Sequence, residues 1–575
     1  MATRIAVEAK DAAPLETRPG TRHYDVGVPA TLRYPDLPLH TLLEDAARSR
    51  SEAVATIFFG AKRTYRSVQL DAIYFSSSLR RLGVKQGDRV ALMLPNCPQF
   101  VIAFFATLRL GAIVVPCNPL YTARETQHQL ADCGAETIVV LSRLYPTVKA
   151  ARPGTRLRNI VVTNIKDEMP RTTRLLFTLL RERKGGHAVK WRGDEGTVAY
   201  RDMLRDRGEP VAAVSPSDTA VLQYTGGTSG TPKGAVLSHR ALLANALQCR
   251  AWFTNLRDGE DVVMAAMPLF HVYGLTVAMD LAVQSASALI LEPQFELERI
   301  LADSQKYRAK IFPGAPRIYN AIVTSPLAAK YDLRSIEACI SGSAPLLLET
   351  ARRFRELTGG RLVEGYGLTE ASPVTHCNPI FGEGKQKEGS IGVPFPDVES
   401  RIVDLETGTR DLPAGERGEL VLRGPQLMDG YYQRPEETAD ALREGWLYTG
   451  DIAYVDDEGY VFIVDRKKEL IIVSGFNVYP REIEERLAMH PAVVESAAIG
   501  VPHPITGEQV KVFVTCREGA AVTAADLIDF CREDLAPFKV PREIEFRGSL
   551  PKTIVGKVLR RQLAEEDAAG RAGAS

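Results

Sequence analysis

The hydrophobic rhythm of the chain changes twice. Over the first 465 or so residues, short apolar runs alternate with stretches of helical period. "RVALML" (89–94) reads as a strand, "CPQFVIAFFATLRLGA" (97–112) as a buried helix ending near Gly111, and "IVVPCNP" (113–119) as the next strand. "ETIVVLS" (136–142) and "NIVVTN" (159–164) continue the alternation. Apolar strands separated by helices predict an α/β architecture with largely parallel sheets.

Between Gly415 and Asp465, apolar and polar residues alternate around acidic-glycine turns, which predicts antiparallel β-structure. After Asp465 the pattern is mixed. "PREIEERLAMH" (480–490) predicts a helix with Pro480 in its first turn. Strands follow at "ESAAIGV" (495–501) and "QVKVFVTC" (509–516), and Thr523 with Asp526 makes a capping box for a helix over 524–535. The expected organisation is therefore a loose tail over 1–30, a large domain over 31–464, a small α+β domain over 465–565 and a frayed tail over 566–575. The large domain combines α/β subdomains with a β-rich subdomain.

Composition narrows the class. The 575 residues carry 71 basic and 71 acidic side chains, so no net field favours nucleic acid. No apolar run is long enough to span a membrane, and the start of the chain has no apolar run like that of a signal peptide. The eight cysteines are scattered without CxxC pairs, which argues against a disulfide framework or zinc site and fits a reducing cytoplasm. One segment departs from the neutral average. Between 171 and 192, Arg171, Arg174, Arg181, Arg183, Lys184, Lys190 and Arg192 face only Glu182, with "LLFTLL" among them. Such a helix either lies on an anionic membrane surface or docks on the core with a solvated face.

The sharpest chemical signal is "YTGGTSGTPKG" (224–234). "TAVLQY" before it and "GAVLSH" after it read as strands, and Ser238 caps the helix "HRALLANALQCR". A glycine-rich turn with hydroxyls and a terminal lysine suits a polyphosphate. It is not a Walker A loop: the two Gly-Lys pairs of the chain, Gly384–Lys385 and Gly556–Lys557, have Pro379 and Pro551 where that motif needs glycine. Nor is it a nucleophile elbow, because position 231 is threonine.

The loop resembles the phosphate loop of the adenylate-forming superfamily, and further segments follow in that superfamily's order. They are "PLFHVYG" (268–274), "SGSAPL" (341–346), "EGYGLTE" (364–370), "YTGD" (448–451), "VDRKKELIIVSGFNVYP" (464–480) and "LPKTIVGKVLRR" (550–561). The resemblance covers roughly 30–565 and is nearest to bacterial long-chain fatty-acid–CoA ligases. It implies the adenylate-forming fold with a small mobile C-terminal domain, and activation of a fatty acid by ATP before transfer to coenzyme A. It also implies Mg²⁺.

By the same resemblance, Thr225, Ser229, Thr231 and Lys233 would hold the outer phosphates, while Thr228 and Glu370 would place Mg²⁺ and the α-phosphate. Tyr366 would stack on adenine with the backbone of Ser343, Ala344 and Pro345 on the other side, and Gly367 and Thr369 would belong to the same ATP/AMP site; Ser343 stands where the family often has glycine. Asp451 would take the ribose hydroxyls and Arg466 the ribose or phosphate. His271 would lie near the acyl carboxylate, and Lys557 would bridge it to the α-phosphate. Asp465 would be the hinge, and Ser474, Gly475 and Phe476 would face coenzyme A. A homodimer is compatible with the family. The rival activities are loading of an acyl-carrier protein, and ligation of medium-chain or aryl acids. A non-catalytic, membrane-associated binding module of the same fold is the remaining rival. The joint presence of Lys233, Glu370, Asp451, Arg466 and Lys557 argues against it.

Overall fold

The computed structural model describes residues 5–10, 19–208, 213–225, 232–344, 346–381, 386–474, 476–553 and 556–574. Contacts divide it into two compact units. One comprises 1–225, 232–399 and 423–442; the other comprises 400–422 and 443–575. The expected break at Asp465 is not where this division falls, because the β-rich segment groups with the C-terminal residues.

The first unit is built on an eight-stranded sheet. Its strands run in the order Gly430–Tyr431, Gly234–Ser238, Thr219–Tyr224, Ile113–Pro116, Arg89–Met93, Thr137–Leu141, Asn159–Thr163 and Thr197–Ala199. Six of them are parallel; the first two pairings are antiparallel. The helix Pro98–Arg109 starts at a first-turn proline, and every side chain from Pro98 to Leu108 is buried. A helix apolar all round is stable only when covered on every side. A second parallel pair, Ala338–Ser341 with Arg361–Gly367, carries the chain into the segment that contains Glu370.

In the second unit, Gly418–Arg423, Trp446–Val455 and Val461–Arg466 pair antiparallel, as their alternation predicts. Beyond them, Ile471–Val473, Phe476–Val478, Gly507–Cys516, Val493–His503 and Glu543–Phe546 form a five-stranded sheet. The helices Pro480–Ala488 and Ala524–Asp534 bury Ile483, Leu487, Leu527 and Cys531 against it. The Thr523–Asp526 capping box forms.

Both expected tails need correction. Residues 566–574 do not fray: the helix Arg560–Ala574 continues through them. Leu563 packs on Phe513, and Asp567 accepts hydrogen bonds from Lys511 and Arg571, each at 2.6 Å. The segment looked frayed because Phe513 and Lys511, which fix this helix to the sheet, lie far away in sequence. Nor is the start loose as far as residue 30. Tyr24 donates to the carbonyl of Pro394 at 2.6 Å and meets the Trp252 ring edge-on at 5.0 Å. Asp25 is buried and takes the N–H of Phe381.

Asp567→Ala removes one of the two carboxylates that hold the buried Lys511 ammonium, the other being Glu545 at 2.7 Å. A cost of about 1–3 kcal/mol is expected for the cation left with one partner. It will appear as faster amide hydrogen exchange in strand 507–516, with the first unit unaffected.

Candidate active site

The strands Thr219–Tyr224 and Gly234–Ser238 pair antiparallel, so the two ends of the glycine-rich loop face each other. Thr225 donates its N–H to the carbonyl of Lys233 at 2.9 Å. Ser238 caps the following helix by accepting from the N–H of Ala241. Thr228, Ser229 and Thr231 lie outside the described residues. On the far side of Gly234–Ser238, the short strand Gly430–Tyr431 adds to the sheet, with Tyr431 opposite Ala235. This brings the Tyr431 ring to 5.2 Å from the Lys233 ammonium, a cation–π distance. The Tyr431 hydroxyl donates to Oε1 of Glu370 at 2.7 Å. Burial, then the Glu370 charge, pushes the phenol pKa well up, so it stays a donor. Glu437 adds a carboxylate 3.8 Å from Lys233.

Lys233 and Glu370 are thus joined through Tyr431, a residue with no local sequence signal. Only the edge pairing of a strand some 200 positions downstream reveals it. One fixed carboxylate suits Mg²⁺, which takes water and phosphate oxygens as its other ligands. Among the described residues, no group of three His, Cys, Asp or Glu could hold a metal alone.

Glu370 lies in the short helix Thr369–Ala371, directly after the strand Arg361–Gly367. Gly367 is required by close approach, since a Cβ there would meet the Pro373 carbonyl oxygen at 2.2 Å. Tyr366 is half-buried opposite His376, with ring centroids 6.2 Å apart. Burial pulls the His376 pKa down to about 3, so that imidazole is neutral. Ser343 is exposed at φ +75°, in the left-handed region that favours glycine. Ala344 is half-buried beside it, and Pro345 lies outside the described residues. His271 uses Nδ1 to accept from the N–H of Tyr273 at 3.3 Å, and burial lowers its pKa to about 4. It can contribute only a neutral imidazole near pH 7. Buried Gln223 donates to the carbonyl of Phe270 at 3.0 Å, tying the strand Thr219–Tyr224 to the His271 segment.

The second unit assembles a separate cluster. Asp451 and Arg466 are register partners on adjacent strands, and their side chains form an ion pair at 3.0 Å. Asp451 is buried and sits in a strand, not in a β-turn. Asp465 is also buried. Its two oxygens accept the N–H groups of Arg466 at 2.7 Å and Arg481 at 2.8 Å, yet burial still pushes its pKa up to about 6. Lys557 lies in a tight hairpin, its N–H on Thr553 Oγ1 at 3.1 Å and its carbonyl accepting from the N–H of Thr553 at 2.8 Å. Burial, then the Arg466 charge, pulls its pKa down to about 8 against the opposing Glu469 and Asp451 charges.

Arg560, three residues on, holds that hairpin in place. It makes a two-pronged pair with Glu484 at 3.0 and 2.6 Å and a second pair with Glu469. The first arginine of "LRR" hinted at nothing more than charge, and its partners are 76 and 91 positions away. Ser474 is exposed at φ +51°, and exposed Phe476 stacks on Phe538 at 4.7 Å. Gly475 lies outside the described residues.

The fold agrees with the comparisons. The AMP-binding enzyme family matches residues 43–432, and the AMP-binding enzyme C-terminal domain matches residues 482–557. The chain belongs to the AMP-binding enzyme family. It is similar to a long-chain-fatty-acid–CoA ligase of Bacillus subtilis (strain 168), at 43% identity over 96% of this chain and 98% of that one. Another long-chain-fatty-acid–CoA ligase, from Yersinia pestis, is 40% identical over 95% of this chain and 97% of its own length. Among solved structures, ATP-bound MatB from Rhodopseudomonas palustris superposes with a TM-score of 0.80 at 29% identity, over 92% of this chain and 99% of that one.

The depressed pKa of Lys557 can be read without any turnover. Its labelling by an amine-selective reagent is expected to rise through about pH 8, whereas ordinary lysines respond near 10.4. Arg466→Gln removes a repelling cation and will shift that midpoint to higher pH. A midpoint near the ordinary lysine value in the parent protein would contradict the burial of this amine.

Proposed function

We propose that this chain activates a long-chain fatty acid with ATP and passes the acyl group to coenzyme A. The products are acyl-CoA, AMP and diphosphate. The observation that carries the reading is the grouping of Lys557 with Asp451 and Arg466: an ammonium held beside the pair assigned to the ribose. The names and full-length similarity of the relatives support the acid and the acceptor.

In the first step, a carboxylate oxygen of the acid attacks the α-phosphorus. The bond to the bridging oxygen breaks, and diphosphate leaves. The acid is itself the nucleophile, so the chain contributes positioning and charge stabilisation. Lys233 and Thr225, with Ser229 and Thr231, bind the outer phosphates. Glu370, oriented by Tyr431, and Thr228 would hold Mg²⁺, which when bound would offset phosphate charge. Tyr366, Ser343, Ala344 and Pro345 bind adenine, Gly367 and Thr369 belong to the same nucleotide site, Asp451 holds the ribose, and Arg466 holds the ribose or a phosphate. Neutral His271 lies beside the acyl carboxylate. Lys557 stabilises the charge on the carboxylate and α-phosphate as they join.

In the second step, the coenzyme A sulfur attacks the acyl carbon, the thiol proton goes to solvent, and AMP leaves. We read Asp465 as the hinge that removes Lys557 and presents Ser474, Gly475 and Phe476 to coenzyme A. Its bonds to the N–H groups of Arg466 and Arg481 support that role, because turning there must exchange one of them. We also read the chain as cytoplasmic, able to form a homodimer, and peripheral to the inner membrane face through residues 171–192. The unpaired cysteines support the cytoplasmic reading. Among the described residues, no helix is long and apolar enough to cross a membrane.

ATP–diphosphate exchange with acids of increasing length, including an aryl acid, tests the acid. Adding coenzyme A or a carrier protein tests the acceptor. Exchange restricted to short or aryl acids would reject the long-chain reading.

Glu370→Gln keeps the shape of the side chain and its bond from Tyr431 but removes the charge. Diphosphate release should fall by about two decades at ordinary magnesium, with part recovered at high magnesium. Unaltered turnover would remove Glu370 from the metal site.

Lys557→Ala should separate the half-reactions. Losing an electrostatic donor costs about 2.7–4 kcal/mol, or two to three decades, in acyl-AMP formation. Thioester formation from supplied acyl-AMP and coenzyme A should stay near the parent rate. A parallel fall in both steps would reject the two-conformation scheme.

A further inference from the structure

The helix Arg171–Leu180 has no buried residue. Leu175, Leu176, Leu179 and Leu180 are 60, 56, 71 and 68% exposed, the densest run of exposed large apolar side chains among the described residues. Their spacing, two adjacent pairs four residues apart, puts all four on one helical face. A soluble helix normally turns such a face inward.

The orientation is built in. Arg174, on the other face, donates to the carbonyls of Lys166, Asp167 and Met169 at 3.1, 2.9 and 3.2 Å. Phe177 meets the buried His187 ring edge-on at 5.5 Å. Just past the helix, Glu182 is tied to Asn164 at 3.0 Å and Lys166 at 2.6 Å. Charged and aromatic side chains therefore anchor the inner side, and leucines are left outside. The acid among the surrounding cations is used up in that anchor. Arg171, Arg181, Arg183, Lys184, Lys190 and Arg192 are all exposed, and no acidic side chain among the described residues pairs with them.

We propose that this face is a docking surface for an anionic lipid bilayer, with the four leucines inserted among the acyl chains and the surrounding cations on the headgroups. This deepens the peripheral reading given for 171–192 and names its contact atoms. Charge complementarity selects the occupant. A second copy of the chain would bring the same six cations against themselves, whereas an anionic surface neutralises them. An apolar face bordered by basic residues on a helix too short to span is the form of an interfacial helix. A fatty acid dissolved in the bilayer would then be delivered where the enzyme sits.

The test uses the full chain with vesicles of phosphatidylcholine alone or mixed with phosphatidylglycerol. Co-sedimentation should require the anionic lipid. Leu176→Ser/Leu179→Ser/Leu180→Ser should lower partitioning at least about tenfold. Arg181→Ala/Arg183→Ala/Lys184→Ala should lower it roughly a hundredfold at low salt and less at high salt. Trp191, partly exposed under the exposed Arg192 at 5.2 Å, should be quenched by brominated lipid in the parent and not in the leucine variant. Both variants should keep the circular dichroism of the parent and its rate with a soluble, short acid. Binding is read without turnover, so a chain that binds vesicles but makes no acyl-CoA loses the ligase reading and keeps this one. Three results would overturn the proposal: no vesicle binding by the parent, binding unchanged in both variants, or leucine variants that turn a dimer into a monomer without altering vesicle binding.

Discussion

A charge taken out of water has to find a partner, and each chemically important element of this chain follows from that constraint. Glu370 has Tyr431, Asp451 has Arg466, and Arg560 has Glu484 and Glu469. Among the described residues no cation touches Asp465; two backbone N–H groups take that place. These partners orient the groups they satisfy. A carboxylate held by a phenol points one oxygen away from it, and a hairpin clamped by a two-pronged arginine keeps its lysine at a set height.

The same constraint explains how the second unit keeps a tunable lysine. Lys557 is half-buried with cations and anions on both sides, so its charge is neither strongly favoured nor lost. Arg560 pairs directly with Glu484 and Glu469, and among the described residues Lys557 has no ion-pair partner of its own. An amine in that condition is free to pair with a substrate's phosphate or carboxylate. The helix Arg171–Leu180 is the converse case: Arg174 is used to hold it down, while among the described residues Arg171 has no acidic partner and the four leucines stay exposed.

Much of this was legible beforehand. Period-two and helical patterns located the strands 89–93, 113–116, 137–141 and 159–163, the buried helix after Cys97 and the antiparallel hairpins before Asp465. Capping chemistry at Ser238 and Thr523 was equally plain, because a cap is a contact over three residues. The tails were misjudged for the opposite reason. Asp25, Asp567 and Tyr24 are polar or isolated in sequence, and their partners Phe381, Lys511 and Pro394 are remote.

The division between sequence and structure is one of range. Sequence alone determined the order of the motifs, the residue types at the phosphate loop and the small-domain lysine, and the α/β rhythm, since each depends on neighbours within a turn or a strand. Tertiary structure decided which side chains orient those residues. Tyr431 reaches Glu370 only because a late strand joins the edge of an early sheet. Arg560 steadies the Lys557 hairpin only because two helical segments bring Glu469 and Glu484 to it. The four leucines face outward only because Arg174 and Phe177 hold the other side of their helix down. Such pairings carry no local pattern: the energy of a buried charge depends on what lies within a few ångströms of it, and chain folding sets that distance independently of separation along the sequence.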